Sequence, residues 1–195
     1  MKKILKSALF NIAFLHSVFY IALFKILKIR YSAVATMMAT IPGRYGMYVR
    51  ENYYKHTLAK CGKNLQVGYG AFIVYSDVEI GDNCAIEEYA IVSKCTIGND
   101  VIISARCSIM SGGNHHDVDD IETPFRYSFA EFRRVILGDN LWIGTHAVIM
   151  NDVSSHTVVG AGAVVTKVFE PYSVIAGVPA KFIRKRGKNA DANMS

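Results

Sequence analysis

Between Ser7 and Phe24 the chain lacks charge of either sign: eighteen residues, SALFNIAFLHSVFYIALF, pass without an Asp, Glu, Lys or Arg. Eighteen is the lower edge of the length that crosses a bilayer, and Ser7, Asn11, His16 and Ser17 weaken a spanning helix further. Basic residues stand on both flanks, MKKILK before and KILKIR after, so no orientation follows from them. A signal peptide is another reading, because SAVA near Ala35 resembles a small-residue cleavage site, but Lys25, Lys28 and Arg30 intervene. The first expectation for residues 7–24 is a helix lying in, or shallowly inserted into, a membrane surface. The second is a helix buried over the core.

Cysteine is scarce too. Cys61, Cys84, Cys95 and Cys107 show neither metal-ligand spacing nor a disulfide framework. They read as small packing residues, and reduced thiols suit a cytoplasmic compartment, with residues 7–24 adding a peripheral place on the inner face of the cell membrane as an expectation. No run interleaves aromatics with Lys or Arg, so the net charge of +6 does not indicate a nucleic-acid face. The basic residues gather at the two ends, where phosphate groups or an anionic membrane surface are the natural attraction. With 195 residues and 51% hydrophobic content, one core domain plus an appendage is expected.

The usual periodicities are missing where the chain is most regular. From Leu137 to Thr166 the spacing is neither the 3.6 of an amphipathic helix nor the 2 of a half-buried strand. An aliphatic residue recurs every six at Leu137, Ile143 and Ile149, and again at Val159 and Val165. Gly138, Gly144 and Gly160 each follow one. A period of six means short strand, corner, short strand: a solenoid whose units bury their apolar faces on their neighbours. First and fifth positions (Leu141, Ala147, Val153, Ala163) should point inward, with Gly, Asp and Asn making the corners.

Earlier phrases begin at Val67, Ile73, Ile80, Ile86, Ile97, Ile103 and Ile109. The register slips by one at Glu79 and by five after Ile91, so bulges or a loop belong there. Cys84 and Cys107 fall on fifth positions. The pattern stops between Ser111 and Arg134, an excursion from one corner that carries His115 and His116 beside Asp117, Asp119 and Asp120. Upstream, residues 31–43 read as a short helix or loop, and Arg44 to Gly62 as a helix with Gly62 as its C-cap. Downstream, AKFIRKR reads as a short basic cap, in helical form, over the last coil. The division is then 1–62, helical; 63–186, solenoid; and 187–195, a polar tail.

IGDN and IGND phrases, an interrupting loop with Asn114-His115, LGDNLWIGTHAVI, VVGAGAVVTK and VIAGVPAK follow in that order. Over residues 63–186 this resembles the hexapeptide-repeat acyltransferases, closest to the sugar O-acetyltransferases related to maltose, galactoside, capsule and lipopolysaccharide acetyltransferases. The resemblance implies an all-β core, a left-handed parallel β-helix with eighteen residues per coil, assembled as a homotrimer. It also implies acetyl-CoA in a groove between subunits, no metal, and a sugar or glycan acceptor.

The family's catalytic histidine maps onto His115, which would act as general base in a direct transfer. His116, Asp117 and Glu88 are the candidates for the acceptor. For Asp117 a solvated acidic loop, and for Glu88 a solvated corner, stays open as the plainer account. Trp142, Thr145, Ala161, Thr166 and Lys167 match positions along the cofactor groove, and Lys181 and Arg184 match the basic pair reaching its phosphates.

One departure is visible: relatives continue Gly-Val-x-Ile-Gly after the phrase at Ile149, whereas NDVSSHTVVG is about two residues shorter. The irregular corner is expected at Asn151 to Val158, with His156 unexplained. Three alternatives remain: an amino-sugar N-acyltransferase, a γ-type carbonic anhydrase-like zinc enzyme using some of His115, His116, His146 and His156, and a non-catalytic β-helix protein.

Overall fold

A computed structural model describes residues 2–113, 115–128 and 131–187, with side chains of the first helix from Ala8 onward. The chain is a parallel β-solenoid capped by three helices. Face 1 stacks Lys60–Cys61, Glu79–Ile80, Cys95–Ile97 and Val135–Leu137. Face 2 stacks Gln66–Val67, Ala85–Ile86, Ile102–Ile103, Trp142–Ile143, Val158–Val159 and Ser173–Ala176. Face 3 stacks Phe72–Ile73, Ile91–Val92, Ser108–Ile109, Val148–Ile149 and Val164–Val165. The chain passes along faces 1, 2 and 3 in turn and then rises one coil, so every neighbour on these faces is parallel.

First and fifth positions fill the prism. Ile73, Ile80, Ile103, Ile143 and Ile149 are buried at first positions, as are Ala71, Cys84, Val101, Cys107, Ala147 and Ala163 at fifth positions. The Cys84 and Cys107 thiols point at the Gly98 and Gly144 carbonyls of the coil above, both at 3.1 Å. Burial pushes the Cys95 thiol up to about 12, which fits a packing role.

The corners divide their labour by position. The fourth residue of each phrase takes left-handed backbone angles: Asn64, Asn83, Asp100, Asn140, His156 and Tyr172 between faces 1 and 2, and Gly70, Tyr89, Arg106, His146 and Gly162 between faces 2 and 3. Asn and Asp tolerate this region best, and here they also stack. Asn64 donates to Asn83 at 2.9 Å and Asn83 to Asp100 at 3.0 Å. His156 now has its explanation: it lies 3.1 Å from the Asn140 amide and stacks on Tyr172 at 4.4 Å. The glycine after each aliphatic answers a different need. At Gly81 a Cβ would stand 2.6 Å from the carbonyl oxygen of Gly98 in the next coil.

The corner between faces 3 and 1 holds no such rule, and all the length variation collects there. Gln66 pairs with Ala85, nineteen positions on; Ala85 with Ile102, seventeen on; Ile102 with Trp142, forty on; and Trp142 with Val158, sixteen on. No measured coil has the eighteen residues that the resemblance implies. The contraction expected at Asn151 to Val158 falls at its start, where Ile149 is followed after only four residues by Val153, itself bridged to Leu137. The shortened register after face 3 is counted from Val92, which is buried, and not from Ile91, which faces out.

Two helical expectations are corrected. Lys181–Lys185 is an antiparallel strand on Ser173–Ala176, not a short C-terminal helix. Those face 2 edge groups need partners, and a returning strand provides them where a helix would not. The third helix, α3 (Gly43–Thr57), ends five residues before Gly62, because Ala59 already donates to Ser76 and Lys60–Cys61 is a strand. Gly62 is instead a stacking glycine, with Gly81 above it.

Helices α1 (Lys2–Lys25) and α2 (Tyr31–Ala39) join α3 over the first coils. Tyr31, Met38, Val49, Tyr53 and Tyr54 continue the solenoid core without a break. At the centre is Arg50, wholly buried. Its Nε donates to the Val67 carbonyl at 2.9 Å, and its Nη1 to those of Met38 at 3.0 Å and Ile41 at 2.9 Å.

Candidate active site

The excursion leaves face 3 after Ser108–Ile109 and rejoins face 1 at Val135–Leu137. Two consecutive arginines fasten its end. Arg133 pairs with Asp152 and donates to Asn151 Oδ1 at 2.8 Å, in the coil above. Arg134 reaches down to the Asp77 carboxylate at 3.0 Å and to the Asp77 and Cys95 carbonyls, both at 3.0 Å. Inside the loop, Asp117 Oδ1 accepts from the Asp119 and Asp120 amides, and Asp120 Oδ1 accepts from those of Glu122 and Thr123. Such Asx turns build a rigid loop from local side-chain bonds.

Within this frame His115 and His116 diverge. His116 is 2.7 Å from the Ser128 carbonyl through Nδ1, and Ser128 Oγ accepts from the Asp117 amide at 2.9 Å. His116 and Asp117 are therefore employed in holding the loop. The His115 ring lies against Phe132, 4.9 Å between centroids, and its Nε2 is buried with no hydrogen-bond partner among the described residues. A buried polar nitrogen left unmet is costly unless something else completes it. Asn114 lies outside the described residues.

Thr166 stands at this same corner. With Ser111, Gly113, Arg133, Met150 and Asn151 it lines a cavity of about 540 Å³. Lys167 follows it, its ammonium 5.4 Å from the Phe169 ring centre. The other candidates stand elsewhere. Trp142 is on face 2, 56% exposed, its Nε1 donating to Ser104 Oγ at 3.3 Å. Thr145 and Ala161 stack at the corner between faces 2 and 3, where the Thr145 carbonyl accepts from Gly162 at 2.9 Å. Glu88 belongs to that column, two coils below Thr145, at a different corner from the His115 loop of the same chain. Its neighbour Glu87 is committed to the Ala105 amide at 3.1 Å. Lys181 and Arg184 sit on the terminal strand, exposed, at the top of face 2.

The candidates thus fall into two groups: His115 and Thr166 on one edge of face 3, and Trp142 with Thr145 and Ala161 around the other. His146 and His156 hold left-handed corners away from the loop. Among the described residues no group of three or more His, Cys, Asp or Glu is arranged to hold a metal ion.

Comparison with known proteins gives the same fold a chemical context. No family model matches the chain. Galactoside O-acetyltransferase of Escherichia coli K12 is 32% identical over 148 residues, covering 70% of this chain and 68% of that one. The chain belongs to the hexapeptide-repeat acetyltransferases. A chloramphenicol acetyltransferase of Escherichia coli is 33% identical over 159 residues, covering 68% of this chain and 73% of its own. A galactoside acetyltransferase solved in complex with coenzyme A superposes with a TM-score of 0.65 at 29% identity, covering 79% of this chain and 78% of that one.

Sequence reasoning missed the loop fasteners of this acetyltransferase. Phe132, Arg133, Arg134 and Asp152 carry no repeat signature, and only the Arg pair directly before Val135 marked the point of return. Arg133→Ala with Arg134→Ala is expected to speed limited proteolysis between residues 112 and 133 by roughly tenfold or more, since each lost charged hydrogen bond gives up about 1.5–3 kcal/mol of local ordering. The melting temperature should move little, because the coil hydrogen bonds do not depend on the loop. Unchanged cleavage would show that the loop is ordered without its arginines.

Proposed function

We propose that this acetyltransferase moves the acetyl group of acetyl-CoA onto a sugar hydroxyl of a cell-surface polysaccharide or lipid-linked glycan, on the cytoplasmic side, with His115 as base. The observation that carries it is the buried Nε2 of His115, without a hydrogen-bond partner among the described residues, on the excursion whose Ser111, Gly113 and Arg133 line a cavity. An alcohol is a poor nucleophile at neutral pH, so its proton must leave as it attacks the thioester carbonyl. His115 accepts that proton as the new C–O bond turns the carbonyl into a tetrahedral oxyanion held by a backbone N–H, and the oxyanion collapses to the ester as the C–S bond breaks. The imidazolium returns the proton to the departing CoA sulfur. No acyl-enzyme is needed.

The two groups support assembly as a homotrimer, in which the Trp142 edge of one copy meets the His115 edge of the next. Trp142 then flanks the pantetheine arm, Thr145, Ala161, Thr166 and Lys167 line its path, and Lys181 and Arg184 take the CoA phosphates. The galactoside and chloramphenicol relatives are named for different acceptors, so the shared fold does not by itself fix the acceptor.

A screen of acceptor sugars with acetyl-CoA, followed by product analysis, tests this assignment. Ester products on a hydroxyl are expected. Amide products on amino sugars alone would replace O-transfer by N-transfer at the same base, and absence of any CoA release would remove the enzymatic assignment.

A further inference from the structure

Helix α1 has two apolar sides and only one of them is covered by protein. Ala13, Ser17 and Tyr20 face α3 and are buried, and His16 Nδ1 lies 2.9 Å from the Tyr45 hydroxyl. On the opposite side Ile12 is 56% exposed, Leu15 71%, Phe19 55% and Ile26 74%. These positions repeat at three, four and seven residues, so they form one stripe along the helix. Only 22% of the stretch from Ala8 to Lys25 is buried.

Charge says what covers the stripe. Residues 1–50 hold eight Lys and Arg and no Asp or Glu, so the other 145 residues carry 14 basic against 16 acidic side chains. The N-terminal basic end of the chain therefore lies in the helical cap, where Arg50, one of the eight, is the buried centre. At the end of α1, exposed Lys25, Lys28 and Arg30 alternate with exposed Ile26, Leu27 and Ile29. Phe24, Lys25, Lys28, Ile29, Arg30 and Tyr31 line a cavity of about 430 Å³ there.

A second copy of α1 fits this surface poorly. Lysines stand at both ends of the helix, so parallel and antiparallel pairing alike would bring like charges together. A membrane-crossing helix fits no better, because crossing would strip α1 from α3, which carries Arg44, Glu51 and Lys55 and could not follow it into hydrocarbon. The geometry points to α1 lying in the plane of an anionic phospholipid surface, with Ile12, Leu15, Phe19 and Ile26 at the acyl boundary and Lys25, Lys28 and Arg30 among the phosphates.

Sedimentation of the full-length protein with vesicles tests the surface. Binding is expected to phosphatidylcholine vesicles containing phosphatidylserine, weaker binding to phosphatidylcholine alone, and loss on raising salt. Leu15→Glu with Phe19→Glu should lower vesicle affinity by about tenfold or more while CoA binding stays unchanged. Lys25→Gln, Lys28→Gln and Arg30→Gln together, all at exposed positions, should do the same without disturbing folding.

Parent protein that ignores both vesicle types overturns the proposal, as do variants that bind like the parent. A lower oligomeric state in the Glu variant assigns the stripe to another copy instead. Resistance to alkaline carbonate extraction from native membranes would mean a spanning helix, and would overturn it equally.

Discussion

His115→Ala is expected to lower turnover of acetyl-CoA with acceptor by about 10²–10⁴-fold, the range a positioned general base contributes. That is roughly 3–5 kcal/mol of transition-state stabilisation. Binding of CoA, measured by calorimetry, should stay within about twofold of the parent, because His115 is not among the cofactor candidates and Trp142, Thr145, Ala161, Lys181 and Arg184 lie away from its loop. His116→Ala distinguishes the neighbours. Its ring meets the Ser128 carbonyl, so its loss should loosen the loop and cost far less than loss of His115. Turnover unchanged in His115→Ala, or lost equally in both variants, would dismiss His115 as the base. The exposed Nε2 created by any local opening of the loop offers no escape from this test, since the comparison is made between adjacent residues on one scaffold.

The largest effect on stability is expected at Arg50. Arg50→Met keeps the length and apolar stem of the side chain but leaves the Val67, Met38 and Ile41 carbonyls without their charged donor. A hydrogen bond to a charged group contributes about 1.5–3 kcal/mol, partly offset because burying the guanidinium is itself unfavourable. A net loss of about 3 kcal/mol would lower the melting temperature by roughly 6–12 °C in a chain of this size, read by calorimetry. Burial already lowers the Arg50 pKa from its usual value, yet its carbonyl partners, with Ala39 a longer fourth at 3.4 Å, need the cation. A variant that melts with the parent would mean that the apolar face of Tyr31, Met38, Val49 and Tyr53 docks the helices unaided.

Much of the solenoid was legible because its physics is local. An inward Ile or Val every six residues, and a small residue four places later, can be read from one coil without knowing the next. The hydrogen-bonded corner column was not legible in the same way. His156 looked anomalous in sequence, and it makes sense only beside Asn140 below and Tyr172 above, sixteen residues away on each side. Glu88 shows a related gap: its place in the sequence gives its height along the solenoid but not which corner it occupies. The terminal strand Lys181–Lys185 was hidden because its pattern is set by the edge it covers and not by its own sequence, which exposes every residue. His115 was located by resemblance. The reason its partner loop is rigid came only from Asp117, Asp120, Ser128 and the two arginines acting together.

The corner between faces 3 and 1 gains or loses residues in every coil, while its two counterparts keep a fixed count. Across the forty-residue coil the ladder continues regardless: Asn99 donates to Asp139 from amide and side chain at 2.7 and 3.0 Å, as if nothing intervened. The excursion is thus a detour whose two ends are held at adjacent floors by the coil ladder as well as by its own Arg133 and Arg134. Doubling such a detour costs only about 0.6 kcal/mol in closure entropy. The scaffold therefore works like a bookshelf with one open side, on which the segment between residues 111 and 134 can be lengthened or exchanged while the shelves and the volumes beside it stay where they are.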